Sequence, residues 1–173
     1  MAIEIYKYMS DRDAKAFVAY LRSVKPVKHK VPISVYRIPL HVGKPVGRIA
    51  CIPPSNKIAY GEYQVQIGHC MECHTPMVKG LPDLKNRMSA GGRKFEGPWG
   101  EVISANITQD KATGIGSWTN AQIKWAITKG IFHNGAKMRP PMCYRCYDKM
   151  TEADVDAVVS YLRTIKPIKN NLQ

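Results

Sequence analysis

The stretch Gly68-His69-Cys70-Met71-Glu72-Cys73-His74 constrains this chain more than any other. Two cysteines lie three apart with a histidine directly behind the second, a pattern open to three chemistries. It can attach a haem covalently, supply half of a four-thiolate zinc site, or form a thiol redox pair. The spacing has a physical rationale in the first case. Two sulfurs one short turn apart can each form a thioether to a haem vinyl group, and the next residue presents its imidazole to the iron from the same face. A second axial ligand must then come from elsewhere. Electron-transfer haems of high potential use Met opposite His, and Lys137-Met138-Arg139-Pro140-Pro141-Met142-Cys143-Tyr144 offers two methionines in a proline-stiffened loop. Met142, after both prolines, is the expected ligand; Met138 is the alternative, with a core side chain as its plainer role.

The zinc reading would pair Cys70 and Cys73 with Cys143 and Cys146. That separation far exceeds the short spacing of compact zinc ribbons, and it leaves His74 and the Pro-Pro-Met loop without a role. A thioredoxin-like pair requires a β-α-β context, which the helical, loop-rich pattern does not supply. Cys143-Tyr144-Arg145-Cys146 is followed by tyrosine, so it is no second attachment site; it can close as a disulfide or remain two thiols. Cys51 is expected to be a small buried hydrophobe. His29, His41 and His133 read as loop or surface histidines, and His69 lacks a ligand's spacing.

A repeat governs the organisation of the chain. Residues 6–28, YKYMSDRDAKAFVAYLRSVKPVK, align without gaps to residues 147–169, YDKMTEADVDAVVSYLRTIKPIK. Tyr6 matches Tyr147, Met9 matches Met150, Asp13 matches Asp154, Ala16 matches Ala157, and Tyr-Leu-Arg and Lys-Pro follow in register. Each copy predicts an amphipathic packing helix. Ser10 and Thr151 are N-caps, with Asp13 and Asp154 three residues on. Apolar residues recur at helical spacing: Phe17, Val18 and Leu21 in one copy, Val155, Val158, Val159 and Leu162 in the other. Pro26 and Pro167 end each helix. Extended backward, the offset sets Met1 opposite Met142. Residues 1–57 are therefore expected to be the closing helix of a preceding domain plus a Pro-rich linker, with a longer parent carrying a further C-x-x-C-H upstream. Residues 58–173 form the main domain.

Within that domain a helix is expected over about Ile58 to Gly68, carrying Tyr60, Tyr63, Val65 and Ile67. Long loops with little regular structure follow from 80 to 118, where Gly and Pro dominate. Another helix opens at Trp118-Thr119-Asn120, turns Ile123, Ala126 and Ile127 inward, and stops at Gly130. The expected fold class is all-α, with almost no strand signal. No apolar run reaches the length of a membrane span, and MAIEIYKYMSDRD carries charges where a signal peptide would need an apolar region. The net charge of +13 across 173 residues predicts attraction to acidic surfaces. With the lysines dispersed and no nucleic-acid recognition pattern present, an acidic protein is the expected partner, and nucleic acid is not.

Residues 59–167 resemble a class I cytochrome c domain of the kind found in dihaem and multihaem bacterial cytochromes, including the cytochrome subunits of alcohol and gluconate dehydrogenases. The resemblance is carried by AYGEYQVQIGHCMECHTP, AGGRKFEGPWGEVISANITQD, TGIGSWTNAQIKWAITKGI, RPPMCY and MTEADVDAVVSYLRTIKPI, in that order. It implies one covalent haem c per chain, attached at Cys70 and Cys73, with His74 and Met142 on the iron. Cys143 stands where the family usually has proline. The resemblance also implies first and last domain helices that cross through small residues, with Gly61 and Tyr161 in contact. Arg93, Trp99, Asn106 and Trp118 resemble the family's haem-surround positions. The implied function is single-electron transfer between redox proteins, with a dehydrogenase or terminal oxidase as partner and no substrate transformed by the protein itself. Attachment of c-type haem implies a periplasmic location, with the targeting signal outside this sequence. A haem enzyme of the peroxidase or sulfur-oxidising type is the alternative, and a zinc-stapled binding module a remoter one.

Overall fold

In the computed structural model, residues 6–35 and 46–172 are described. Met1 and His41 lie outside them. The chain divides into two compact units, Met1–Cys51 and Ile52–Gln173.

In the first unit, Ser10 starts helix α1 (Asp11–Ser23) by accepting a hydrogen bond from the Asp13 backbone N–H at 3.2 Å. This satisfies one of the donors a helix start leaves open. Asp11 and Ile49 exchange two hydrogen bonds, Asp11 N–H to the Ile49 carbonyl and Ile49 N–H to Asp11 Oδ1, each 3.1 Å. Sequence periodicity predicts a packing helix, yet no residue of α1 is buried. Phe17 and Leu21 are 56% and 54% exposed. Cys51, expected inside, is also exposed; it lies within residues 46–53, which form no regular structure.

The second unit is organised by two helices brought together by missing side-chain bulk. Helix α2 (Lys57–Ile67) is capped by Asn56. Helix α3 (Cys70–Cys73) follows almost at once, then α4 (Asn120–Lys129), α5 (Tyr144–Tyr147) and α6 (Glu152–Leu162). Where α2 crosses α6, a Cβ on Gly61 would overlap the backbone carbonyl of Ala157 and come within 3.0 Å of Tyr161 Cβ. Glycine is therefore required for the crossing, at the residue and against the tyrosine that the family resemblance implies. Tyr60 locks the pair by donating its hydroxyl to Asp154 Oδ1 at 2.8 Å. Val158, Val159 and Leu162 of α6 then join Val65, Met71, Ile115 and Ile123 in the main core.

Helix α4 begins at Thr119 with a reciprocal capping box to Gln122 and ends at Gly130 in the left-handed region, which glycine adopts without a Cβ penalty. Arg163, just past α6, donates to the carbonyls of Ile115 and Trp118 and to the side-chain oxygens of Gln109 and Asn120. One guanidinium thus ties four residues of the 109–120 stretch to the end of α6.

The all-α expectation requires a correction. Two short antiparallel hairpins occupy the loop region: β1 (Met77–Val78) with β2 (Leu81–Pro82), and β3 (Lys94–Gly97) with β4 (Gly100–Ile103). Lys79 and Gly80 both have positive φ, the backbone that tight two-residue hairpins need. In the second, glycines at both strand ends allow a turn through Pro98 and Trp99. Strands this short carry too few residues for an alternating pattern to emerge from the sequence.

Candidate functional site

The C-x-x-C-H stretch sits where α2 ends. His69 takes a left-handed conformation, φ 60°, and redirects the chain into the single turn α3. Cys70 and Cys73 mark its two ends, so both sulfurs project from one turn, and neither is in a disulfide. Burial pushes the Cys70 thiol up to about 12, with the Cys73 charge adding to the effect. Cys73 is likewise raised, mainly by burial, against the opposing pull of Arg93. Redox-active C-x-x-C pairs need the opposite, a thiol with a depressed pKa. The thiol-exchange reading therefore lacks its physical basis.

His74 is held by its backbone and by its ring. Its carbonyl accepts from the Gly91 N–H at 2.7 Å. Its Nδ1 lies 2.7 Å from the Ala105 carbonyl oxygen. A carbonyl only accepts, so Nδ1 carries the proton and Nε2 retains a lone pair. Burial lowers the His74 pKa, with the Ala105 hydrogen bond opposing, so the ring is a neutral imidazole at pH 7. That is the form a metal requires. The carbonyl partner also fixes ring orientation and raises donor strength. Gly91 makes this possible. It has φ 72°, and a Cβ there would meet the Ala105 carbonyl carbon at 2.5 Å.

The surroundings support α3 from outside. Arg93 Nη1 donates to the Glu72 carbonyl at 3.0 Å and lies 3.9 Å from the Glu72 carboxylate. Glu72 also meets His69 Nδ1 at 3.0 Å, an interaction that gives His69 a structural role. Asn106, expected near a cofactor, is instead used up by the fold. Its amide nitrogen donates to Thr113 Oγ1 and the Ile168 carbonyl, and its amide oxygen accepts from the Thr108 N–H and hydroxyl. Trp118 packs against the core and lies edge-on to Phe132 and beside the ring of His133. Trp99 lies on the outer turn of the β3–β4 hairpin, more than a third exposed.

Met142 is half-buried in a segment pinned on both sides. Upstream, the Met138 N–H donates to the Gly130 carbonyl at 2.8 Å. Downstream, the Tyr147 hydroxyl donates to the Gly68 carbonyl at 2.7 Å, tying α5 to the residue before the His-Cys stretch. Cys143 and Cys146 are joined as a disulfide around α5. That bond removes both sulfurs from any four-thiolate site, and no cluster of three or more His, Cys, Asp or Glu suited to a metal ion occurs among the described residues. The donor set that remains is two unpaired thiols on one turn, a neutral oriented imidazole, and thioethers downstream. It fits a covalently attached haem.

Sequence reasoning missed Ala105 and Gly91. The Ala105 carbonyl lies 31 residues from His74, and a backbone acceptor leaves no side-chain signature. The only available signal was the Gly91-Gly92 pair, which marks a close backbone approach without saying to what.

The sequence model of the cytochrome c family matches residues 58–166, and the chain belongs to that family. Cytochrome c domains carry covalent c-type haem and serve electron transport, and this sequence holds one C-x-x-C-H. Among similar proteins, the cytochrome c subunit of alcohol dehydrogenase (quinone) from Gluconacetobacter polyoxogenes is 34% identical over 62% of this chain and 22% of its own length. The fructose dehydrogenase cytochrome subunit from Gluconobacter japonicus is 35% identical over 64% of this chain and 22% of its own. A diheme cytochrome c-type protein from Cereibacter sphaeroides is 29% identical over 62% of this chain and 36% of its own. The chain thus spans about a fifth to a third of the length of these curated relatives. No helix among the described residues is long and apolar enough to cross a membrane.

Proposed function

We propose that this chain is a one-electron carrier in which Cys70 and Cys73 would attach a haem and His74 and Met142 would bind its iron. The observation that carries the reading is the 2.7 Å contact from His74 Nδ1 to the Ala105 carbonyl, which presents a neutral, oriented Nε2 beside two free sulfurs. When bound, the haem supplies a ferric/ferrous couple. The protein's part is to hold the imidazole still through the Ala105 carbonyl and to offer the Met142 thioether as the second ligand. Ligation by a His and a Met would favour a positive potential. Residues 58–173 are the haem domain in this reading, and residues 1–57 are a second copy of its closing helix with a linker.

The charge of +13 suits an acidic redox partner. The named relatives are subunits of dehydrogenases, which makes a dehydrogenase the first candidate and a terminal oxidase the second. A periplasmic location agrees with the chemistry of haem attachment.

The test is spectroscopic. Met142→Ala abolishes the weak far-red charge-transfer band of the ferric protein and opens the iron to cyanide, whereas Met138→Leu leaves the spectrum intact. The opposite result would transfer the ligand role to Met138. Rapid cyanide binding by the unaltered protein would remove the electron-carrier reading in favour of a haem enzyme with an open site.

A further inference from the structure

Two backbone groups hold His74, and both lie in irregular chain. Its carbonyl accepts from the Gly91 N–H and its Nδ1 donates to the Ala105 carbonyl, each at 2.7 Å. Gly91 comes shortly before β3 and Ala105 shortly after β4. The two stretches are tied to each other: Gly92 N–H donates to the Ser104 carbonyl and Ser104 N–H to the Arg93 carbonyl, each at 2.9 Å. Two loops tied to each other can still move as one, so the precision of the imidazole depends on what anchors them to the rest of the domain.

The segment that follows α6 supplies an anchor on each side. The Ile168 carbonyl accepts from Asn106 Nδ2 at 2.8 Å, directly beside Ala105, and Ile168 N–H donates to Thr108 Oγ1 at 3.1 Å. Asn170 Nδ2 donates to the Ala90 carbonyl at 2.8 Å, directly before Gly91, and Asn170 N–H donates to Thr113 Oγ1 at 3.0 Å. Ala90, Asn106 and Thr108 are buried, so these bonds are made where a lost partner costs most. Gly92 makes room for the crossing: it has φ 93°, and a Cβ there would come within 3.3 Å of Leu172 Cδ2 and 3.4 Å of Asn170 Nδ2. Residues 168–170 therefore grip the immediate neighbour of each group that holds His74. We infer that this segment positions the iron-binding imidazole, with the Asn170 amide as its positioning group; the inference rests on the reading of His74 as an iron ligand.

The link to redox chemistry runs through the Nδ1 hydrogen bond. A partner that accepts this proton makes the imidazole a stronger donor through Nε2, and a stronger donor favours ferric iron. Asn170 sets the Gly91 contact through Ala90, and the Ala105 contact through the Gly92–Ser104 bond. Without its amide, both loops are free to draw back from His74, and a hydrogen bond weakens steeply as its length and angle depart from ideal. The couple then shifts toward ferrous iron. A residue that only stabilised the fold would lower the unfolding temperature and leave the couple unmoved.

The test compares Asn170→Ala with Asn171→Ala, at the exposed neighbouring position, in the full haem-loaded chain. Two quantities are read on each: the midpoint potential, and the solvent exchange of the His74 Nδ1 proton in the ferrous protein by NMR. Asn170→Ala is expected to move the ferric/ferrous equilibrium about threefold toward ferrous, roughly 28 mV at 59 mV per tenfold for one electron, and to speed the exchange several-fold. Asn171→Ala is expected to do neither. Asn170→Asp keeps the side chain's shape without its amide donor, and serves as the second variant if Asn170→Ala does not fold. Its potential is read against Asn171→Asp, which adds the same charge, and is expected to lie above it. Unchanged potential and exchange in the Asn170 variants would overturn the inference, as would equal shifts at 170 and 171, or a lower Tm with neither quantity moved. The carrier reading is checked in the parent alone: a ferrous protein with no ring-current-shifted His74 proton would take His74 off the iron and remove both readings.

Discussion

The crossing of α2 and α6 gives the most quantitative test of this fold. Gly61 is buried in the interior of α2, so in isolation Gly61→Ala would favour the helix by about 1 kcal/mol. In the folded protein the new methyl would run into the Ala157 carbonyl, with Tyr161 Cβ at 3.0 Å closing the other side. Neither neighbour can rotate away, because one is backbone and the other is the first atom of its side chain. The helices must instead separate. Inserted methylenes that force backbone shifts cost roughly 1–3 kcal/mol, and a rigid obstacle places this one near the top of that range. Even a partial gap also weakens the dispersion contacts between Tyr60, Tyr63 and the α6 face. Net of the helix gain, the loss is about 2 kcal/mol, or a fall in Tm of roughly 6–10 °C for a unit of this size. Thermal and urea unfolding of the haem-loaded protein, followed by far-ultraviolet circular dichroism and Soret absorbance, would measure it. Gln66→Ala, at an exposed position of the same helix, is the control and is expected to change stability by less than about 0.5 kcal/mol. A Gly61→Ala protein as stable as the parent, or more so, would show that the crossing is not limited by this contact and would refute the reasoning.

Other consequences can be checked separately. Gly91→Ala places a Cβ against the Ala105 backbone at positive φ. It is expected to loosen the His74 hydrogen bond and raise the midpoint potential, because a less basic imidazole stabilises ferric iron less. Gly100→Ala, also at positive φ but facing open space, bears strain without that shift, and an equal shift in both variants would sever the link to Ala105. Hydrogen bonds from Thr113 hold the Asp110 carboxyl below its ordinary range, opposed slightly by desolvation. A depressed folded-state pKa stabilises above the unfolded value, and that contribution is lost as the pH falls below about 4 towards the folded value. Asp110→Asn should therefore be less stable than the parent at pH 7, with the gap closing in acid; a gap independent of pH would contradict this. Reduction by, or oxidation of, an acidic partner protein should slow as ionic strength rises, and a rate indifferent to salt would remove the electrostatic docking argument.

The parts of this fold legible in the sequence are those written in side chains close together along it. Ser10 and Thr151 cap as their types predict, Thr119 and Gly130 bound α4, and Cys70, Cys73 and His74 share one turn because three residues span one. Gly61 was legible only through resemblance. Its glycine is required by Ala157, nearly a hundred positions away, and local propensity argues against a glycine there. The hairpins were hidden because two to four paired residues leave no period to detect, and turn chemistry alone does not tell a hairpin from a loop. Asn106 shows the reverse failure. Its type suits a cofactor pocket, but each of its amide atoms is already committed to Thr108, Thr113 or Ile168. A residue's chemistry shows what it can bind, and only the fold shows whether that capacity is still open. Helix α1 carries the same distinction to a whole element. Its pattern marks an apolar face, yet Phe17, Val18 and Leu21 are exposed and its own unit buries none of them. Periodicity reports that a surface is made to be covered, and it cannot report whether the covering element belongs to the same unit.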